Sequence, residues 1–329
     1  MGRCYFFKRE VLIMYKYALG AIPSPIDVRD YRIACASNVE FPTEFELEMP
    51  KVKNQGSVGS CVAHAISTVV EYFSCLQGDE SKEMSVGYIY GNRTNTEHKD
   101  SGMITRAAIA VTCEYGDVVK TAFPYNEEIP DIIEKFQDKA ISLFPKGYPH
   151  RFSSYYRCEN VAEIKTALMK KTPVIMAMDW YEDVKVVDGI MQTSYQNPCG
   201  GHCMVIYGWN NHGWKIQNSW GTSWGNKGRA ILPYDIPIRE AWGVVDEISE
   251  NQTKLRISEL EKVNAELQNY INNLGGEYEQ LRLAQEEIKK QQEEIERLKD
   301  ELTELKKPYS SNFGQFFAKI INSIVNLFK

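Results

Sequence analysis

Seven aliphatic residues, Leu260, Leu267, Leu274, Leu281, Ile288, Ile295 and Leu302, stand seven apart without interruption towards the end of a 329-residue chain. Seven residues make about two α-helical turns, so this spacing suits a helix that buries one narrow stripe. Before Gly275-Gly276, Ile257, Asn264 and Ile271 fit position a of the heptad and the leucines position d. That zipper arrangement favours parallel dimers, with one polar a residue fixing the register. After the glycines, Leu298 and Leu305 supply the second stripe, while Ala284 and Gln291 weaken it. Two consecutive glycines cost about 2 kcal/mol of helix propensity, which predicts a break or hinge there. The competing arrangement is an antiparallel hairpin that turns at Gly275-Gly276. Residues 247–307 are therefore expected to form a coiled coil through which the chain self-associates.

The charge distribution sets the same segment apart. Asp246 to Lys307 holds 16 acids against 10 bases, and this accounts for the whole net charge of −6. The other 267 residues carry 28 of each sign. Without a basic face, zinc-finger spacing or an RRM-like aromatic motif, nucleic-acid binding is not expected. No run of 18 residues is both uncharged and continuously apolar, so no spanning helix is expected either. Val11 to Ala18 is apolar but interrupted by Lys16, and no small-residue cleavage site follows it. Eight dispersed cysteines, with neither a secretory leader nor dense scaffold spacing, point to free thiols in a reducing, cytoplasm-like compartment.

The two ends read as appendages. Residues 1–40 form a short N-terminal extension in which Pro23-Ser24-Pro25 and Asp27-Val28-Arg29-Asp30 predict an extended, turn-rich arm. Residues 308–329 open with Pro308 and then become amphipathic. Phe313, Phe316, Phe317, Ile320, Ile324 and Phe328 share one face, opposite Gln315, Lys319, Asn322, Ser323 and Asn326. Such a helix can lie in a membrane interface, giving peripheral association, or pack on the protein body or a partner.

Residues 41–246 hold all six tryptophans. Val62, Ile66, Val69, Val70 and Phe73 recur at helical spacing, so a helix starts near Cys61 and buries one face. The runs 173–178 and 203–207 are short, apolar and bounded by turn residues, as buried strands are. Helices come early and strands late, an α+β pattern.

Three stretches of this region carry chemistry. In the first, running from Val52 to Ala65, a glycine-rich turn delivers Cys61 to the first turn of a helix. There the positive end of the helix dipole favours a thiolate. Gln55, six residues earlier, can aim an amide beside the Cys61 backbone N–H and form an oxyanion hole. The second stretch, Gly200-Gly201-His202-Cys203, opens a buried strand with a histidine able to stand in a cleft. It could form a thiolate–imidazolium pair and then protonate a leaving amine. In the third, Asn218 has the amide needed to orient that imidazole, and Trp220 can shield the pair from water. Cys199 and Cys203 flank His202, but no second pair stands at ligand spacing, so neither metal nor cofactor is expected. His64, on the same helix as Cys61, is a decoy whose ring need not face the thiol.

The order Gln55, Cys61, His202, Asn218 with these surroundings resembles the papain family of cysteine proteases, from about Phe41 to Asp246. The resemblance implies two lobes, one helical and one β-rich, with the active site in the cleft between them. It implies peptide or protein substrates, and it assigns Ser101 and Gly102 to the segment that pairs with substrate backbone, with Gly201 beside them. Gly116 to Tyr125 resembles the turn that closes the helical half.

Two departures from the family pattern bear on function. Where the family has Cys-Gly-Ser-Cys-Trp, this chain has Val58-Gly59-Ser60-Cys61-Val62, which removes one disulfide cysteine and one aromatic wall. Residues 1–40 are also too short for a long inhibitory propeptide, so control comes from elsewhere or the arm itself lies in the cleft. Two other functions share the sequence: a coiled-coil scaffold whose papain-like domain binds peptides, and acyl transfer through the same thiol.

Overall fold

A computed structural model describes residues 18–33, 40–76, 82–93, 102–124 and 142–246, and towards the C-terminus a few residues between 257 and 265 together with the helix 278–306. The chain divides into two compact units at Asp246/Glu247.

In the first unit the chain enters as β1 (Ala21–Ile22) and β2 (Phe45–Glu46), then forms α1 (Cys61–Leu76) and α2 (Val86–Gly91). Next come β3 (Met103–Ile104) and α3 (Thr105–Tyr115). Helix α1 begins where the glycine-rich turn ends, and all but its last two residues are buried. A helix covered on every side is an internal helix, more enclosed than the one-faced helix that the spacing predicts. Ser85 caps α2 by accepting from the Tyr88 N–H at 3.0 Å, satisfying a backbone donor that the helix leaves unpaired.

The second half of this unit is a twisted sheet. It is built from β4 (Phe152–Arg157), then α4 (Val161–Met169), then β5 (Val174–Tyr181), β6 (Lys185–Val187) and β7 (Ile190–Gln192). β8 (Pro198–Asn210), β9 (Gly213–Gln217), β10 (Arg229–Pro233) and β11 (Glu240–Asp246) complete it. Asn160 caps α4 through the Glu163 N–H at 2.9 Å. The strand order is β4-β11-β5-β8-β9-β10-β7-β6, with β2 added against β8. β8 is central, and every residue from His202 to Trp209 is buried, as a strand covered on both faces requires. Its antiparallel register sets His202 opposite Met178 and Cys203 opposite Ala177 on β5. Helix α1 packs across β8, which brings the start of the helix to the start of the buried strand run. The helices early and the sheet late are the expected α+β order.

β1 does not join this sheet. It pairs in parallel with β3, Ala21 opposite Met103 and Ile22 opposite Ile104. The N-terminal arm is thus built into the first unit beside the segment that contains Gly102.

In the second unit α5 (Tyr278–Lys306) is a 29-residue helix. Ile257 and Ile295 share a small buried core with Leu298 against it, and Lys299 lies 3.4 Å from Glu261. In one continuous helix, residues this far apart in sequence would be separated by about 1.5 Å per residue. Ile257 and Glu261 therefore lie alongside α5, an intramolecular contact that the hairpin alternative requires. Gly275-Gly276 and the amphipathic segment 308–329 lie outside the described residues. No helix among the described residues is long and apolar enough to cross a membrane.

Candidate active site

The loop before Cys61 is fixed from below by buried charge. Lys53 pairs with Glu71 of α1 at 2.9 Å and donates to Ser67 Oγ at 2.8 Å, while Glu71 accepts the Met84 N–H at 3.0 Å. Two residues on, the Gln55 N–H donates to the Ser219 carbonyl at 2.8 Å, which joins this loop to the turn after β9. The side chain of Gln55 is oriented by the same residue: Ser219 Oγ donates to Gln55 Oε1 at 2.7 Å, so the amide NH₂ must face the other way.

Cys61 is the first residue of α1. Its thiol lies within reach of the backbone amides of Cys203, Gly20, Val62 and Cys61 itself, all of which favour the anion. Burial outweighs them and pushes the thiol up to about 11. The amide of Cys203 in this set brings Cys61 to the start of the buried β8 run, where His202 stands.

His202 is wholly buried, and its ring stacks on Trp220 with centroids 4.4 Å apart and an interplanar angle of 29°. Trp180 meets the imidazole edge-on at 5.0 Å. Asn218 Oδ1 accepts the Ser219 N–H at 2.7 Å, which identifies that atom as the amide oxygen, and lies 2.7 Å from His202 Nε2. Nε2 therefore carries the proton, and Nδ1 is the basic nitrogen. Nδ1 is buried and has no hydrogen-bond partner among the described residues. Burial lowers His202 to about 4 against the opposing effect of the Asn218 bond, so thiol and imidazole both rest neutral in this enclosed state.

The cleft is occupied by the chain's own arm. Gln55 Nε2 donates to the Ala18 carbonyl at 2.7 Å. The Gly20 N–H donates to the Gly201 carbonyl at 3.1 Å, and the Gly20 carbonyl accepts the Met103 N–H at 2.8 Å. Arg239 Nη2 donates to the Ala21 carbonyl at 3.1 Å, while its Nη1 is held by Asp179 at 2.6 Å. Gly102 adopts φ +106°, and a Cβ there would come 2.6 Å from the Gly20 carbonyl oxygen, so both backbone conformation and close approach call for glycine.

The expected site residues thus separate by location. His202 touches both Asn218 and Trp220, Gln55 bonds Ser219 beside Asn218, and Cys61 reaches the amide of Cys203 beside His202. Gly102 and Gly201 flank the peptide backbone lying in the cleft. Ser101 lies outside the described residues. His64 is a separate, structural histidine: its Nδ1 meets the Ser60 carbonyl at 3.0 Å, and burial lowers it to about 3. Sequence reading missed Ser219, Trp180 and Arg239. Only Ser219 carried a usable signal, its place beside Asn218. Cys61, Cys113 and Cys203 are free thiols. The described residues contain no cluster of three or more metal-ligating side chains.

Comparison with known proteins points one way. A family model described as papain family cysteine protease matches residues 39–235. An uncharacterized peptidase C1-like protein of Acanthamoeba polyphaga mimivirus is 26% identical over 217 residues, 60% of this chain and 70% of that protein. Human cathepsin O is 24% identical over 221 residues, 64% of this chain and 66% of its own length. Among solved structures, xylellain, a cysteine protease from Xylella fastidiosa, superposes with a TM-score of 0.62 at 22% identity. That match covers 70% of this chain and 97% of xylellain.

Proposed function

Because the chain belongs to the papain family of cysteine proteases, we propose that it hydrolyses peptide bonds through an acyl-enzyme on Cys61, with His202, Asn218 and Gln55 in the supporting roles. The observation that carries this reading is the divided use of His202. Nε2 is committed to Asn218 and Nδ1 is left as the proton carrier at the enclosed end of α1. Cys61 attacks the carbonyl carbon as His202 Nδ1 takes the thiol proton. The tetrahedral oxyanion accepts hydrogen bonds from Gln55 Nε2 and the Cys61 N–H. His202 returns the proton to the leaving amine, and water then attacks the thioester by the same route in reverse. A peptide carbonyl already rests on Gln55 Nε2, which supports its role as an oxyanion donor. Gly102 and Gly201 would hold substrate backbone as they hold the arm, and Trp220 covers the His202–Asn218 pair.

Replacing Cys61 with Ala tests the reading. Loss of both peptide cleavage and covalent labelling by a thiol-directed epoxide is expected, and unchanged turnover would rule it out. An oriented imidazole with a free basic nitrogen favours a live enzyme over a peptide-binding scaffold. Acyl transfer differs only in the amine that receives the acyl group, and added amines would reveal it in the products.

For the C-terminal unit, the Ile257–Ile295 contact supports a helical hairpin, and the uninterrupted heptad spacing supports self-association of such units. Sedimentation of the full chain separates the two, since a hairpin alone leaves it monomeric. The free thiols of Cys61, Cys113 and Cys203 are compatible with a reducing compartment. Membrane contact by residues 308–329 would be read by liposome flotation of the Phe316→Glu/Ile320→Glu variant beside the wild type.

A further inference from the structure

We infer that Trp180 is a positioning residue for the reaction, holding the His202 imidazole at the angle from which Nδ1 reaches Cys61. The role rests on the peptidase reading of the same site and names the side chain that keeps its base in place.

Sheet register brings the indole there. β5 and β8 run antiparallel, with Met178 opposite His202 and Trp180 opposite Gly200. Alternate residues of a strand share a face, so Trp180 and His202 stand on one side of the sheet as diagonal neighbours. Diagonal neighbours lie about 7–8 Å apart, a gap that aromatic side chains can span. Gly200 presents no side chain opposite Trp180, which leaves the indole room to lean towards the imidazole. The two ring centroids come to 5.0 Å at an interplanar angle of 77°.

Three rings then close on one another. Trp180 meets Trp220 at 4.7 Å and 75°, and Trp220 stacks on His202 at 4.4 Å and 29°. Edge-to-face contacts at such distances are a favoured geometry for aromatic pairs. Trp209, Trp214 and Trp242 are buried too, but their rings meet Phe45, Tyr234 and Tyr155. Trp180 meets the base itself and the ring that stacks on it. With Val62 where the family pattern has an aromatic residue, the second aromatic wall on this imidazole comes from β5.

The imidazole needs that support because only one of its nitrogens is bonded. Asn218 Oδ1 holds Nε2 at 2.7 Å, whereas Nδ1 is buried with no hydrogen-bond partner among the described residues. A ring tethered at one atom can pivot about it, and pivoting swings Nδ1 away from the thiol. Stacking on Trp220 resists tilting of the imidazole but permits rotation within its own plane. Trp180, nearly perpendicular to that plane, opposes the rotation. The direction of Nδ1 is thus set by two indoles in place of a second hydrogen bond. Misplacing a reacting group by about 1 Å can cost about 10²-fold in rate, so this packing bears on turnover.

The test compares the full chain with its Trp180→Leu and Trp180→Phe variants. Active sites are counted by epoxide labelling taken to completion, so that kcat is expressed per labelled site and misfolded protein drops out. NMR relaxation of the His202 ring is measured alongside. Trp180→Leu is expected to lower kcat per site about tenfold or more, with KM within about twofold of wild type. Its His202 ring should gain mobility, and Trp180→Phe, which keeps an aromatic edge, should restore most of both properties. If Trp180→Leu folds poorly, Trp180→Phe carries the test, with a smaller fall in kcat and a smaller gain in ring motion. Wild-type kcat per labelled site and an unmoved ring in both variants would overturn the role and leave the peptidase assignment standing. A rise in KM alone would also overturn it, by placing Trp180 on the substrate instead of the imidazole. A mobile ring in Trp180→Leu, with no hydrolysis by any of the three proteins, would uphold the positioning and remove the peptidase assignment.

Discussion

Gln55 donates its side-chain amide to the carbonyl of Ala18 at 2.7 Å, so the group expected to stabilise an oxyanion is engaged by the chain's own peptide. Ser219 Oγ, on Gln55 Oε1 at 2.7 Å, holds that amide in its useful orientation. Gln55→Ala is expected to lower kcat by about 10²–10³-fold, the usual cost of one oxyanion donor. Epoxide labelling of Cys61 does not pass through a carbonyl oxyanion, and the same change frees the Ala18 carbonyl that lies on Gln55. Labelling should therefore hold steady or quicken while kcat falls. A parallel loss of both would mean that Gln55 maintains the shape of the site instead.

Asn218 fixes which nitrogen of His202 is basic. Asn218→Ala should lower kcat by about 10²-fold or more with little change in KM, because the imidazole loses both its tautomer and its tether. NMR of the ring nitrogens would then find the proton shared between Nδ1 and Nε2, whereas the wild type should keep it on Nε2.

The resting protonation state predicts an unusual pH profile. With the site enclosed, burial holds Cys61 near 11 and His202 near 4, so between those values the pair is neutral. The sign follows from each group: a raised thiol forms its anion only at high pH, and a lowered imidazole accepts its proton only at low pH. Labelling of the wild type should climb as pH rises towards about 11. Admitting water to the site weakens the burial effect on both groups. A Cβ on Gly20 would lie 2.1 Å from the Gly59 carbonyl oxygen, so Gly20→Val must move the arm off the turn before Cys61. Its profile should accordingly shift to lower pH, and a profile identical to wild type would count against this account of the buried pair.

Asp117 should make stability depend on pH. It is buried behind Lys53 and Glu71, and burial, reinforced by Glu71, raises its carboxyl to about 8, while Lys53 opposes the shift. The unfolded chain releases this proton near the ordinary carboxyl value of 3.8 and the folded chain holds it to about 8. Between these values the unfolded state binds fewer protons, so this group's contribution to stability falls as pH rises. Asp117→Asn should flatten that slope and raise the melting temperature by a few degrees at about pH 8. An unchanged slope would show that the carboxyl ionises normally in the fold.

Much of the scaffold was legible because its signals are local. The turn before Cys61, the helix after it and the strand runs at 173–178 and 203–207 each follow from neighbouring residues. They appear as Cys61–Leu76, Val174–Tyr181 and Pro198–Asn210. The strands run longer than their apolar cores, since pairing with β5 and β9 extends β8 past its hydrophobic stretch. The course of the arm was only one of two options at the level of sequence. Its two-residue strand pairs with Met103–Ile104, about eighty positions away, and nothing in Ala21-Ile22 names that partner. Trp180 and Arg239 were missed for a related reason. Trp180 reaches His202 through sheet register and Arg239 reaches Ala21 across the cleft, neither of which leaves a spacing in the chain.

The most direct measurement of the central claim is peptide cleavage by Gly20→Val protein beside Gly20→Val/Cys61→Ala protein, with mass spectrometry of the epoxide-treated samples. The account predicts cleavage and a single adduct on Cys61 in the first and neither in the second. Equal cleavage by both proteins, or an adduct confined to another cysteine, would contradict it.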